Sequence, residues 1–164
     1  MTAPLLVFGW GNAGRGDDAL GPLFVQQLGA LAGPAVGMRV DFLEDYQLQI
    51  EHALDLTCRE RVLFVDASIS CTAPFEVSTI HAARDASFTT HSLSAQSVMQ
   101  VYRDLSGREP PACTLLAIRG TEFELGQPPG RPALSHLSEA LVWGQRWLEG
   151  HAVSEPIARQ ASHA

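Results

Sequence analysis

A chain of 164 residues fits one ordinary domain, large enough to bury a core without disulfides or a structural metal. Hydrophobic residues make up 46% of it and charged residues 18%, below the roughly 25% of average globular usage, which argues against disorder. Eleven Lys and Arg against eighteen Asp and Glu leave a net charge of −7 with no basic patch, which argues against a nucleic-acid partner.

Residues 4–8 (PLLVF) are an apolar run closed by a glycine, as expected of a central strand buried on both faces. The run lacks a basic leader and a cleavage site, so it reads as neither signal peptide nor membrane span. The expectation is a cytoplasmic protein with no membrane partner. A glycine-rich loop follows, and from Leu20 the apolar positions Leu20, Phe24, Leu28 and Leu31 recur at helical spacing until Gly33-Pro34 stops them. Met38, Val40 and Phe42 alternate as a half-buried strand, and residues 48–56 suggest a shorter helix.

The segment RVLFVDAS (61–68) is a second strongly apolar strand, its run ending in Asp66, and FEVSTIHA (75–82) alternates like an edge strand. A helix carrying Leu93, Val98, Val101, Tyr102 and Leu105 comes next, with Thr90, His91 or Ser92 as its cap. CTLLAIRG (113–120) is another buried strand, followed by a Gly/Pro-rich loop (124–132) and a final amphipathic helix reaching Leu148. The alternation predicts one α/β domain over residues 1–150, three-layered around a mostly parallel sheet, with 151–164 as a flexible tail. Cys58, Cys71 and Cys113 lack CxxC spacing and read as reduced core thiols.

Chemistry concentrates where strands give way to loops. The loop GWGNAGRGDDALG (9–21) has its glycines at 9, 11, 14 and 16 rather than in GxGxxG spacing, and Asp17-Asp18 puts negative charge where a phosphate would sit. Taken singly, each candidate has a plain structural reading: a helix cap for Asp17 or Asp18, a loop-amide acceptor for Asp66, a cap or surface residue for His91. Taken together, Asp18, Asp66 and His91 form an oxygen and nitrogen set suited to nickel, zinc or iron, with coordination positions left open. Trp10, in the loop, either lines a groove or packs over the sheet edge. The other histidines receive no chemistry, and no GxSxG elbow supports a serine triad.

Three segments in order carry a family resemblance: the GxGN loop running into Gly16-Asp17-Asp18 and Gly21, the strand ending Val65-Asp66-Ala67, and His91-Ser92-Leu93. Over about residues 4–149 the chain resembles the hydrogenase maturation endopeptidases, which remove a C-terminal extension from the large subunit of nickel-iron hydrogenases. The resemblance implies a twisted five-stranded sheet with helices on both faces, and a monomeric peptide-bond hydrolase classed with the aspartyl proteases. It makes Asp18, Asp66 and His91 the catalytic, metal-binding residues. The metal it implies is nickel supplied by the precursor, for which zinc or another divalent ion can substitute. Many members carry Gly-Gly-Thr after the second strand; Glu44-Asp45-Tyr46-Gln47-Leu48 stands here instead, resembling the branch that serves soluble, NAD-linked hydrogenases. By the same resemblance Asp17 is expected to orient Asp18 or cap the helix, and Asn12 to hold the glycine loop. Two other readings use the same features. A non-enzymatic nickel-dependent assembly chaperone would leave its partner's length unchanged, and a peptidyl-tRNA hydrolase would need a His soon after the loop and a basic surface.

Overall fold

The computed structural model describes residues 2–84 and 93–150; His91 and the expected tail at 151–164 lie outside the described residues. The strands are β1 (Leu5–Trp10), β2 (Val40–Asp45), β3 (Arg61–Ser68), β4 (Phe75–Ile80) and β5 (Ala112–Arg119). The helices are α1 (Leu20–Leu31), the single turn α2 (Pro34–Gly37), α3 (Ala95–Ser106) and α4 (Arg131–Leu148). Two 3-10 turns, Gly16–Ala19 and Ile50–Leu56, complete the set.

The strands form one sheet in the order β2-β1-β3-β5-β4, parallel except for β4, which runs antiparallel to β5 at the edge. Alternation of side chains along each strand sends two apolar sets to opposite faces. Val7, Leu63, Val65, Leu116 and Ile118 pack under α1 and α4, whose Leu20, Phe24, Leu28, Leu137, Trp143 and Trp147 fill that side. Leu6, Phe8, Val62, Phe64 and Cys113 pack on the other face against α3 and the 50–56 turn, through Val98, Met99, Ala53 and Leu56. The expected three-layer α/β architecture with helices on both faces is therefore what the chain adopts.

β1 lies between β2 and β3, so successive crossovers leave it in opposite directions and the strand order reverses between β1 and β3. In open α/β sheets that reversal opens a crevice beyond the carboxyl ends of the strands. The chain enters α1 there through a backbone-to-backbone contact. A Cβ on Gly9 would stand 2.4 Å from the Gly21 carbonyl oxygen, and one on Gly21 would stand 2.3 Å from that of Trp10. Both positions exclude any side chain, so Gly9 and Gly21 are what lets β1 and α1 meet this closely.

Several expectations shift. β1 runs on to Trp10, which pairs with Asp45 and is a strand residue rather than a loop residue. Met38 is 85% exposed and precedes β2, because α2 occupies the stretch just before it. The cap of α3 is Ser94, whose hydroxyl accepts from the Ser97 N–H at 3.1 Å, not a residue at 90–92. Leu31 and Leu105, counted in helical stripes, are exposed. Cys71 and Cys113 are buried thiols, but Cys58 is exposed with φ +61, where the chain turns out of the 50–56 element, so it is not a core residue.

Candidate active site

Asp18 sits in the 3-10 turn between β1 and α1, and Asp66 within β3, two residues before its end and paired with Ala117 of β5. Both therefore flank the reversal between β1 and β3, where a ligand would settle. The strand-exit rationale does not extend to His91. β4 is antiparallel, so the chain leaves it beside Cys113 at the amino end of β5, and residue 91 lies beyond the described segment.

The Asp18 carboxylate is fixed by its own loop. The Asn12 N–H donates to its Oδ2 at 2.7 Å, and Gly11 holds φ +146 to bring that amide round. A Cβ on Gly11 would lie 2.1 Å from the Asp18 carbonyl oxygen, so only glycine closes the loop this tightly. Asn12 in turn accepts the Gly14 N–H on Oδ1 at 2.8 Å, which holds the glycine loop. Asp66 is partly buried with little to offset the loss of water. Burial first, then the charge of Asp18, push its carboxyl up to about 7, against which the backbone N–H of Ala67 is a smaller opposing effect. The two carboxylates are hard oxygen donors in a half-dry crevice, and a cation between them would relieve the unfavourable effect of the Asp18 charge on Asp66.

Asp17 neither orients Asp18 nor caps α1. It is 1% exposed, and its carboxylate accepts from the backbone N–H groups of Thr121 (2.8 Å), Glu122 (3.0 Å) and Gly130 (2.8 Å) in the β5–α4 loop. Burial pulls that carboxyl upward, but the donors outweigh it and leave Asp17 below the ordinary carboxylate range. Trp10 stands edge-on to Phe64 at 6.0 Å and to Phe8 at 6.5 Å; of its two expected uses, packing at the sheet edge is the one these contacts supply.

Residues that the sequence did not single out border the same crevice. On the β2 side, Asp45 pairs with His52 at 2.9 Å and Tyr46 bonds Asn12 at 2.7 Å. On the β5 side, Arg119 lies two residues beyond Ala117 and donates from Nη1 to the Cys71 carbonyl at 2.6 Å. The Arg119 Nε is buried without a partner among the described residues. Two hints were available: the departure at Glu44–Leu48, and the three-residue spacing of Gln49 and His52, which close a reciprocal cap on the 50–56 turn. Among the described residues no three His, Cys, Asp or Glu side chains come together as a metal cage, so the described donors are the two carboxylates. No helix among these residues is long and apolar enough to cross a membrane.

No protein-family model matches the sequence, and no curated protein sequence does. Solved structures match in fold. A nickel-iron hydrogenase maturation protease, HycI, from Thermococcus kodakarensis superposes with TM-score 0.68 at 20% identity, over 90% of this chain and 93% of that one. The hydrogenase maturating endopeptidase HybD of E. coli gives TM-score 0.68 at 21% identity, over 89% and 93%. A hydrogenase 2 maturation peptidase from a Thaumarchaeota archaeon gives 0.64 at 21%, over 88% and 97%. The chain has the hydrogenase maturation protease fold along nearly its whole described length.

Proposed function

We propose that the chain is a hydrogenase maturation endopeptidase that removes the C-terminal extension of a nickel-iron hydrogenase large-subunit precursor. The observation that carries this reading is the Asp18 and Asp66 carboxylate pair beside the strand-order reversal, in a chain sharing the fold of the maturation proteases. Two of the three matched sequence segments add to it, since they fall on the β1–α1 loop and on β3.

In this reading nickel is part of the substrate. It arrives held by the precursor, and Asp18, Asp66 and His91 complete its coordination, so that only a loaded precursor seats its scissile bond in the crevice. The protein supplies the positioning and the charge. Asp66 gives up its proton as the cation enters, Asp18 offers the oxygen not already engaged by Asn12, and burial of the pair strengthens both interactions. Tyr46, Ile69 and Leu125 are all well exposed and all follow parallel strands at this edge, which suits docking of a peptide segment. The protein is expected to act as a cytoplasmic monomer, and the Glu44–Leu48 segment favours the precursor of a soluble, NAD-linked hydrogenase as substrate.

The decisive experiment is incubation of a candidate precursor with and without nickel, with the intact mass of the large subunit read before and after. A C-terminal mass loss confined to the nickel-loaded precursor, and abolished by Asp18→Ala and by Asp66→Ala, is the expected result. Unchanged length with nickel transferred would point instead to an assembly chaperone. Cleavage indifferent to nickel would remove the substrate-metal mechanism and keep the peptidase.

A further inference from the structure

An unbroken run of hydrogen bonds leads from a shielded imidazole to Asp18. The Gln49 N–H donates to Nδ1 of His52 at 2.8 Å, so the ring proton belongs on Nε2, which faces Asp45 Oδ2 at 2.9 Å. The second oxygen of Asp45 accepts the Tyr46 N–H at 2.6 Å. The Tyr46 hydroxyl, 34 residues away in sequence, accepts from Asn12 Nδ2 at 2.7 Å. Asn12 closes the run with its own N–H on Asp18 Oδ2.

Each link limits the freedom of the next. The His52 side chain is 13% exposed and set edge-on to Phe8 at 4.5 Å, so it is a fixed post. Asp45 is anchored a second way, its carbonyl accepting the Gly11 N–H at 3.1 Å where β1 leaves β2. Tyr46 itself is 64% exposed, and an aromatic side chain so open to solvent has little packing to hold it. Its hydroxyl is the side-chain reach from the β2 segment into the glycine loop, beside the backbone bond that Asp45 makes with Gly11.

We propose that His52, Asp45 and Tyr46 form a clamp that positions the Asp18 carboxylate through Asn12. The clamp keeps Oδ2 occupied by the Asn12 amide and leaves Oδ1 as the oxygen presented in the crevice. Tyr46 and His52 are positioning residues, since neither bonds to Asp18 directly. The inference rests on the reading of Asp18 as a working residue of the site. It assigns to the Glu44–Leu48 segment a task inside the enzyme in addition to any contact with substrate.

The test compares wild type, Tyr46→Phe and His52→Gln in two measurements: amide hydrogen exchange at Asn12 by NMR, and kcat and KM for precursor processing. Tyr46→Phe removes one oxygen from an exposed ring and leaves the fold in place. We expect exchange at Asn12 to quicken about 10-fold and kcat to fall about 10- to 100-fold, the usual effect of losing a supporting partner, with KM within about twofold. His52→Gln should move both readouts in the same direction. Unchanged exchange in Tyr46→Phe overturns the clamp whatever the rate does, and quickened exchange with unchanged kcat overturns its service to Asp18. An inactive wild type would remove the peptidase reading instead, and the exchange at Asn12 would then decide the clamp by itself.

Discussion

The charge of Asp18 reaches the Asp66 carboxyl across the crevice and, after burial, is the second cause holding it near 7. A carboxyl raised in the folded state stabilises the fold below its unfolded value of 3.8 and withdraws that stability as pH climbs through 7. Asp66→Asn should therefore be more stable than wild type at pH 8, by on the order of 2 kcal/mol, with the gap closing toward pH 4. Urea denaturation at the two pH values checks this. The same variant should lose processing, so stability and activity would move in opposite directions, as expected of a functional carboxylate.

Asp17 is the opposite case. Its folded value lies below 3.8, so its contribution is present above that pH and is lost as pH falls through the folded value. Asp17→Ala leaves the amides of Thr121, Glu122 and Gly130 without their acceptor and should cost about 3 kcal/mol at pH 7. The acid limb of the variant's stability profile should be flatter than that of wild type, measured by denaturant midpoints from pH 6 downward.

Gly11→Ala should remove about 2–4 kcal/mol and processing together, because the added methyl meets the Asp18 carbonyl and the backbone sits at φ +146. Ala substitution at Gly33, where φ is +69 but nothing lies within 4 Å of the new methyl, should cost about 1 kcal/mol and spare activity. Thermal melts and the processing assay, run in parallel on both variants, separate loop closure from backbone strain.

The thiols give a check on burial. Burial pushes Cys113 up to about 12 and raises Cys71 as well, whereas Cys58 is exposed. Brief alkylation at pH 8 should add one group, at Cys58, with the other two modified only in denaturant. Intact mass and peptide mapping read the result, and early labelling of Cys113 would contradict the described core.

The pattern of strands and helices was open to reading from sequence because β1, β3 and β5 are buried on both faces and so spell continuous apolar runs. Asp66 stood out for the same reason, as a charge closing such a run, and Asp18 as the acidic end of the glycine loop that follows β1. What stayed hidden depends on contacts far apart in the chain. The direction of β4 is set by its pairing with β5, more than thirty residues on, so nothing local in FEVSTIHA marks it as antiparallel. The partners of Asp17 lie 104 to 113 residues away, and a pair of adjacent aspartates gave no sign that one faces inward to a distant loop. His52 looked like one more helix-face residue, since its pairing with Asp45 is apparent only once β2 and the 50–56 turn have folded back on each other.

The Asp17 bonds also set an order of events. The loop that carries Asp18 is made early in synthesis, yet one of its fastenings is Gly130, at the head of the last helix. A nascent chain must therefore release about four-fifths of its length before that loop has its final shape, and closing so long a circuit is slow compared with local helix formation. A chain cut before Gly130 would keep Asp17 but lack this donor, so the inward-facing carboxylate depends on the head of the last helix as much as on its own loop.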